Sequence, residues 1–83
     1  MITICYFAAL RETLGTARER IALPEDIVTV VGLRDHLAAR GDVWSAVQST
    51  KNLRIAVNLA LASLNAVIED GDEVAFFPPV TGG

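Results

Sequence analysis

The strongest constraint on the fold is a helical pattern in the middle of the chain, over residues 29–40. It begins at Thr29, a residue type that caps helix N-termini, and Gly41 follows it where a left-handed cap is favoured. Arg40 suits the negative end of the helix dipole. Apolar residues recur on one face at helical spacing; they are Val30, Leu33, Leu37 and Ala38. Because such a face must be buried, the rest of the chain has to supply a second layer.

That second layer is predicted to be a β-sheet, because most of the remaining segments are short and alternate in character. In residues 2–7, Ile2, Ile4 and Tyr6 share one face of an opening strand, and residues 73–77 alternate in the same way in a final strand. Two further strands are predicted over residues 18–23 and 53–57, and short helices over residues 9–15 and 42–49.

Residues 59–68 are compatible with two structures. Their alanine and leucine content suits a helix, whereas their short length between polar turns suits a strand and a turn. The order of the other elements predicts an α+β domain in which a mixed sheet wraps one main helix. With 83 residues, a single domain over residues 1–83 is expected, with residues 76–83 as a flexible functional tail. If the first and last strands are central and parallel, this arrangement is a ubiquitin-like β-grasp.

The excess of acidic over basic residues disfavours nucleic acid as a partner. The chain has 7 Lys and Arg against 10 Asp and Glu, which gives a net charge of -3. A nucleic-acid surface needs clustered cations, so no nucleic acid is expected, and a basic protein partner is favoured. The longest apolar run, residues 56–68, is interrupted by polar residues and too short to span a bilayer, and no secretory signal pattern opens the chain. We therefore expect a cytoplasmic protein without a membrane segment.

No catalytic or metal-binding cluster is visible in the sequence. Cys5 is the single cysteine, and without a neighbouring His or second Cys to activate it we expect an unreactive strand residue. His36 is the single histidine and has no second ligand or nucleophile at helical spacing, which indicates a surface residue and no metal site. The chain also lacks a GxxxxGK[ST] phosphate loop, so it is not expected to bind ATP itself.

The C-terminal sequence FFPPVTGG, residues 76–83, differs from an ordinary polar tail. Pro78 and Pro79 fix φ and favour an extended chain that projects from the domain. Gly82 and Gly83 have no side chains and tolerate most backbone torsions, so they can enter a narrow channel. The pattern predicts a tail that is presented to the active sites of other proteins.

The sequence DGDEVAFFPPVTGG, residues 70–83, resembles the terminal signature of the MoaD family, the small, sulfur-carrying subunit of molybdopterin synthase. The AVN at residues 56–58, an opening strand that ends in Phe7, and RETLG at residues 11–15 are similar to the family pattern in the same order. Leu59 and Ala60 are apolar where the family usually has more polar residues.

This resemblance implies a protein co-substrate and not an enzyme in its own right. The carboxylate of Gly83 would be adenylated by an E1-like ATP-dependent enzyme and become a thiocarboxylate, with no bound cofactor. The tail would then enter the large, catalytic subunit of a heterotetramer of two small and two large subunits. There the sulfur would pass to cyclic pyranopterin monophosphate, precursor Z, during molybdenum cofactor biosynthesis.

The resemblance and the strand alternation together suggest a docking face. Ile2, Ile4, Tyr6, Val74 and Phe76 are assigned to the core. Phe7 and Phe77 fall on the opposite face of the sheet, where Leu61 joins them and Arg11 lies at the edge. These four residues match the partner-contacting positions of the family. The tail-threading residues are Pro78, Pro79, Val80, Thr81 and Gly82, and Gly83 carries the reacting carboxylate.

Two other functions share a terminal diglycine. A ubiquitin-like protein modifier would join its glycine carboxylate to a target lysine and so produce an isopeptide ladder. A sulfur carrier for thiamine or cysteine synthesis would use the same sulfur chemistry, but the Phe-Phe-Pro-Pro sequence disfavours it.

Overall fold

The computed structural model describes residues 1–79. Five strands, three α-helices and one 3₁₀ helix follow one another along this part of the chain. They are β1 (Ile2–Tyr6), α1 (Ala8–Leu14), β2 (Arg18–Ile21), α2 (Val30–Ala38), the 3₁₀ helix (Asp42–Ser45), α3 (Ala46–Ser49), β3 (Arg54–Val57), β4 (Ala60–Ala62) and β5 (Glu73–Phe77). Within residues 1–79, no helix combines the length and apolar character that crossing a bilayer requires.

The strands form one mixed sheet in the order β2-β1-β5-β3-β4. The central pair, β1 and β5, is parallel, with Ile4 opposite Val74, and the other neighbouring strands are antiparallel. The predicted α+β architecture, with parallel first and last strands in the centre of the sheet, is confirmed. Residues 59–68 contribute β4 and then an irregular stretch that bridges to the start of α2 through Thr29 and Val67.

The core lies between the sheet and α2. Thr29 caps α2, since its hydroxyl accepts a hydrogen bond from the Gly32 amide at 3.3 Å. Leu33 and Leu37 on the predicted helix face are fully buried. The strand residues assigned to the core are buried as well; they are Ile2, Ile4, Tyr6, Val74 and Phe76. The alternation of the strands therefore predicts correctly which sheet face α2 covers.

A polar and aromatic cluster closes one end of this core. The Tyr6 hydroxyl donates to Glu19 at 2.9 Å, and the Arg40 guanidinium donates to both oxygens of that carboxylate at 2.8 and 2.9 Å. Arg40 also lies 4.4 Å from the centroid of the Trp44 ring. The prediction that Arg40 complements the end of the helix dipole needs correction. Helix α2 ends at Ala38, and Arg40 instead ties β2 to the 3₁₀ helix.

The β3–β4 hairpin closes with a two-residue turn of unusual composition. Val57 pairs with Ala60, and the intervening Asn58 and Leu59 have φ values of 50° and 70°. Positive φ at both positions is typical of a type I′ turn, which asparagine tolerates but a bulky residue such as leucine does not favour. The Asn58 side chain stabilises the turn by accepting a hydrogen bond from the Glu73 amide at 2.9 Å. Leu59 has no comparable support and is 91 % exposed.

The C-terminal tail begins later than predicted. Phe76 and Phe77, the first residues assigned to it, lie in β5, because Phe76 is buried in the core and Phe77 pairs with Arg54 of β3. Pro78 and Pro79 follow the strand without regular structure, as expected of residues that cannot donate to a sheet. The remaining tail predictions, for Val80, Thr81, Gly82 and Gly83, lie outside the described residues.

Candidate docking face and tail

The face of the sheet opposite α2 carries no helix in the described part of the chain. At its middle lie small side chains, since Cys5, Ala75 and Ala56 occupy one cross-strand row. Leu61 of β4 pairs with Ala56 at the end of that row and is 70 % exposed. The result is a shallow apolar surface with a large side chain at its rim.

Phe7 and Phe77 lie at the end of this surface where β1 and β5 finish. The Phe7 amide donates to the Phe76 carbonyl at 3.2 Å, so Phe7 extends the parallel pairing of the two strands. Phe7 is 46 % exposed, and Phe77 is half-buried. Pro78 follows Phe77 directly, so the tail leaves the domain beside both aromatic residues.

Arg11 lies on α1, one turn after Phe7. Its amide donates to the Phe7 carbonyl at 3.3 Å, and its side chain is exposed. Helix α1 buries Leu10 and Leu14 against the core and ends at Leu14; Gly15 caps it, with a φ of 73° in the left-handed conformation. This packing holds Arg11 one helical turn from Phe7, near the end of the sheet where β1 finishes. We call Phe7, Arg11, Leu61 and Phe77 the docking face.

Arg54 also belongs to this end of the sheet, although the sequence analysis did not select it. It is exposed and pairs with Phe77 across β3 and β5. The alternation of residues along β3 indicates that Arg54 lies on this face of the sheet. Ile55 is buried and Val57 shares its side of the strand, so Arg54 and Ala56 had to point to the opposite face.

Cys5 and His36 lie in different surroundings, one buried in β1 and the other exposed on α2. Cys5 is 8 % exposed, and its thiol donates to Glu73 Oε1 at 3.5 Å. Burial, reinforced by the Glu73 carboxylate, raises the pKa of this thiol, so it stays protonated near neutral pH. His36 lies exposed on α2. In residues 1–79, no group of three or more His, Cys, Asp and Glu side chains is arranged to hold a metal ion.

Comparison with known proteins places the chain in a family. The model of the ThiS family matches residues 4–83. The chain belongs to the ThiS family. Among relatives of this ThiS-family chain, a protein of Escherichia coli named molybdopterin synthase sulfur carrier subunit is 47 % identical over 83 residues, which cover 100 % of both chains.

Two solved structures are similar to the ThiS-family chain over most of its length. One is a putative molybdopterin converting factor, subunit 1, from Pyrococcus furiosus, with 30 % identity, a TM-score of 0.78 and coverage of 95 % of this chain and 97 % of that one. The other is small archaeal modifier protein 1 of H. volcanii, with 27 % identity, a TM-score of 0.76 and the same two coverages. The predicted ubiquitin-like β-grasp is therefore confirmed.

Proposed function

We propose that this chain is the sulfur-carrier subunit of molybdopterin synthase. One observation carries the proposal: the apolar docking face and the start of the tail lie at the same end of the sheet, beside Phe77. A partner that binds this face is therefore placed to receive the tail. The full-length relative of the same name supports the proposal, as does the tail sequence FFPPVTGG.

The proposed chemistry takes place at the carboxylate of Gly83. A carboxylate is a poor electrophile, so an E1-like enzyme first joins it to the α-phosphate of ATP and releases pyrophosphate. A sulfur nucleophile at the oxidation level of sulfide then displaces AMP and leaves a thiocarboxylate. In the large subunit the sulfur passes to cyclic pyranopterin monophosphate, and water supplies the oxygen that restores the carboxylate.

In this proposal the chain contributes binding and positioning, and its partners contribute acid-base catalysis. Phe7, Leu61 and Phe77 would bury apolar area against the large subunit, with Arg11 at the edge of the contact. Pro78 and Pro79 would hold the chain extended while residues 80–82 thread the channel. Two copies of each subunit would form the working heterotetramer, in the cytoplasm.

Removal of Gly83 tests this function. The reacting atom would then lie one residue short of two partner sites, so sulfur transfer should be abolished while the melting temperature is unchanged. The intact chain, incubated with the activating enzyme, ATP and a sulfur donor, should show one oxygen replaced by sulfur in its mass spectrum. Sulfur transfer by the truncated chain at the rate of the intact one would contradict the proposal.

A protein modifier is the second candidate, favoured by the similarity to small archaeal modifier protein 1. It would use the same activated Gly83 carboxyl but pass it to a lysine amine, so that an isopeptide bond retains the chain on its target. Immunoblots of cell extracts would then show a ladder of larger conjugates that disappears when Gly83 is removed. A sulfur carrier releases its sulfur and returns to its original mass.

A further inference from the structure

A cleft of about 450 Å³ lies at the open end of the β3–β4 hairpin. Residues 53–55 line it where the chain enters β3, and residues 61–64 line it where the chain leaves β4. Its volume falls within the range of about 300–1,000 Å³ that is typical of ligand pockets. Leu61 belongs to both the cleft and the docking face, and Arg54 of the cleft pairs with Phe77 of the docking face.

The lining of the cleft combines apolar side chains with polar surface and one cation. Leu53, Ile55 and Leu64 supply apolar surface, and Arg54 is the one charged residue of the lining. Within residues 1–79, the Arg54 guanidinium takes part in no ion pair. An exposed guanidinium presents a planar fork of donors that matches a carboxylate.

The walls of the cleft are held in place by the rest of the fold. The Leu64 carbonyl accepts a hydrogen bond from the Val31 amide at 2.8 Å, which ties this wall to the start of α2. On the other wall, Ile55 is buried and pairs with Ala62. A preformed cleft loses little conformational entropy when a segment binds, so it suits recognition.

The charges of the molecule are unevenly distributed around this cleft. Lys51 lies three residues before Arg54, so two cations stand at the end of the sheet from which the tail leaves. Acidic residues concentrate at the other end of β5, where Glu69, Asp70 and Asp72 precede the strand. Arg54 thus gives the cleft a positive charge in a chain of net charge -3.

We propose that this cleft binds a segment of the large subunit that combines a carboxylate with an apolar side chain. The carboxylate pairs with Arg54, and the apolar side chain packs between Leu53 and Leu64. The positive charge of Arg54 favours an acidic segment. Because Leu61 belongs to both the cleft and the docking face, a partner that binds the docking face also lies over the cleft. This inference rests on the proposed function, because it takes the large subunit as the partner.

Charge reversal at Arg54 tests the inference by titration of the full chain against a purified molybdopterin synthase large subunit. Arg54→Glu should raise the dissociation constant about 30-fold or more, since it places two like charges together in the contact. Arg20→Glu is the matched control, because Arg20 is exposed on the same sheet face but lies on β2, at the far edge of the sheet. Its dissociation constant should stay within about threefold of the unmodified chain.

A second pair of variants tests the apolar part of the cleft. Leu64→Asn should weaken binding about tenfold or more, whereas Val43→Asn should have little effect. The two side chains have similar exposures of 39 % and 41 %, but Val43 lies on the 3₁₀ helix, outside the cleft. The inference would be overturned if the two variants of either pair changed the dissociation constant for the large subunit equally. It would also be overturned if Arg54→Glu weakened binding to the activating enzyme but not to the large subunit.

The outcome also separates this inference from the proposed function. If the unmodified chain transfers sulfur and Arg54→Glu binds and transfers equally well, the cleft has no role while the carrier function stands. If the unmodified chain transfers no sulfur in the presence of both partners, the carrier function itself fails. Thermal unfolding of each variant should match the unmodified chain, since the substituted side chains are exposed.

Discussion

Phe76 and Phe77 are neighbours with identical side chains, yet they lie on opposite faces of the same strand. Phe76 is fully buried and stacks with Tyr6 at a ring-centroid distance of 6.1 Å. Phe77 is half-buried on the face that carries no helix in the described residues. The same division separates Tyr6, the last residue of β1, from Phe7, which follows it. In this domain the two-residue period of a strand separates the groups that stabilise the fold from those available for recognition.

Phe76→Ala should produce the largest effect on stability. Truncation of a buried phenylalanine leaves a cavity and typically lowers the free energy of unfolding by about 3–5 kcal/mol. Such a loss is a large part of the total for a domain of this size. Urea denaturation followed by Trp44 fluorescence would measure it. A change below about 1 kcal/mol would mean that the two faces of β5 do not differ as described.

Phe77→Ala should have the opposite pattern. We expect a loss of less than about 1 kcal/mol in stability but a dissociation constant for the large subunit raised about 30-fold, which corresponds to about 2 kcal/mol of binding free energy. Calorimetric titration and thermal unfolding of the same sample would measure both quantities. If stability fell as far as in Phe76→Ala, Phe77 would be a core residue and the docking proposal would lose its central anchor.

The sequence predicts the two faces well because local physical rules determine them. Alternation assigns Ile4, Val74 and Phe76 to the core without any knowledge of their partners, and the cap at Thr29 correctly marks the start of the main helix. Residues 59–68 stayed ambiguous because their composition suits both structures. Pairing with β3, which periodicity does not encode, makes Ala60–Ala62 a strand.

The cluster around Glu19 could not be read from the sequence. Its members come from four separate segments, and nothing local in any of them indicates that Tyr6, Arg40 and Trp44 meet. Arg54 is a different case, since the outward side of β3 was predictable but its position opposite Phe77 depends on the register of two distant strands. Long-range pairing, and not side-chain pattern, supplies both features.

Glu19→Gln tests the polar and aromatic cluster at the end of the core, on the sheet face that α2 covers. The hydrogen bond from Arg40 lowers the pKa of Glu19, so the ionised form stabilises the fold above the ordinary glutamate pKa of about 4.3, and this contribution is lost as the pH falls through the lower folded value. We expect the variant to be about 1–2 kcal/mol less stable at pH 7, and this difference in stability to narrow progressively as the pH falls below about 4.3. Thermal unfolding across this pH range would measure the difference, and a gap that does not narrow in acid would contradict the role given to the ion pair.

Leu59→Gly should have the smallest effect, and it should be stabilising. Glycine adopts the left-handed conformation without the penalty of about 1 kcal/mol that leucine incurs, and the exposed Leu59 side chain contributes no core contact. The melting temperature should rise by about 4–8 °C. Asn58→Gly is the matched control. It should not stabilise the protein, because it removes the hydrogen bonds of the Asn58 side chain to Asp72 and to the Glu73 amide.

The parallel pairing of β1 with β5 has a consequence for folding. The strands that fill the middle of the sheet are nearly the whole described chain apart, since Ile4 pairs with Val74. A nascent chain that lacks residues 73–77 has β2 and β1 on one side and the β3–β4 hairpin on the other, with no strand between them to complete the sheet. Folding must wait for this long-range contact and is expected to be slower than for a helical domain of equal size. The strand that completes the core is also the one that leads into the tail, so an incompletely folded chain cannot present the tail beside an assembled docking face.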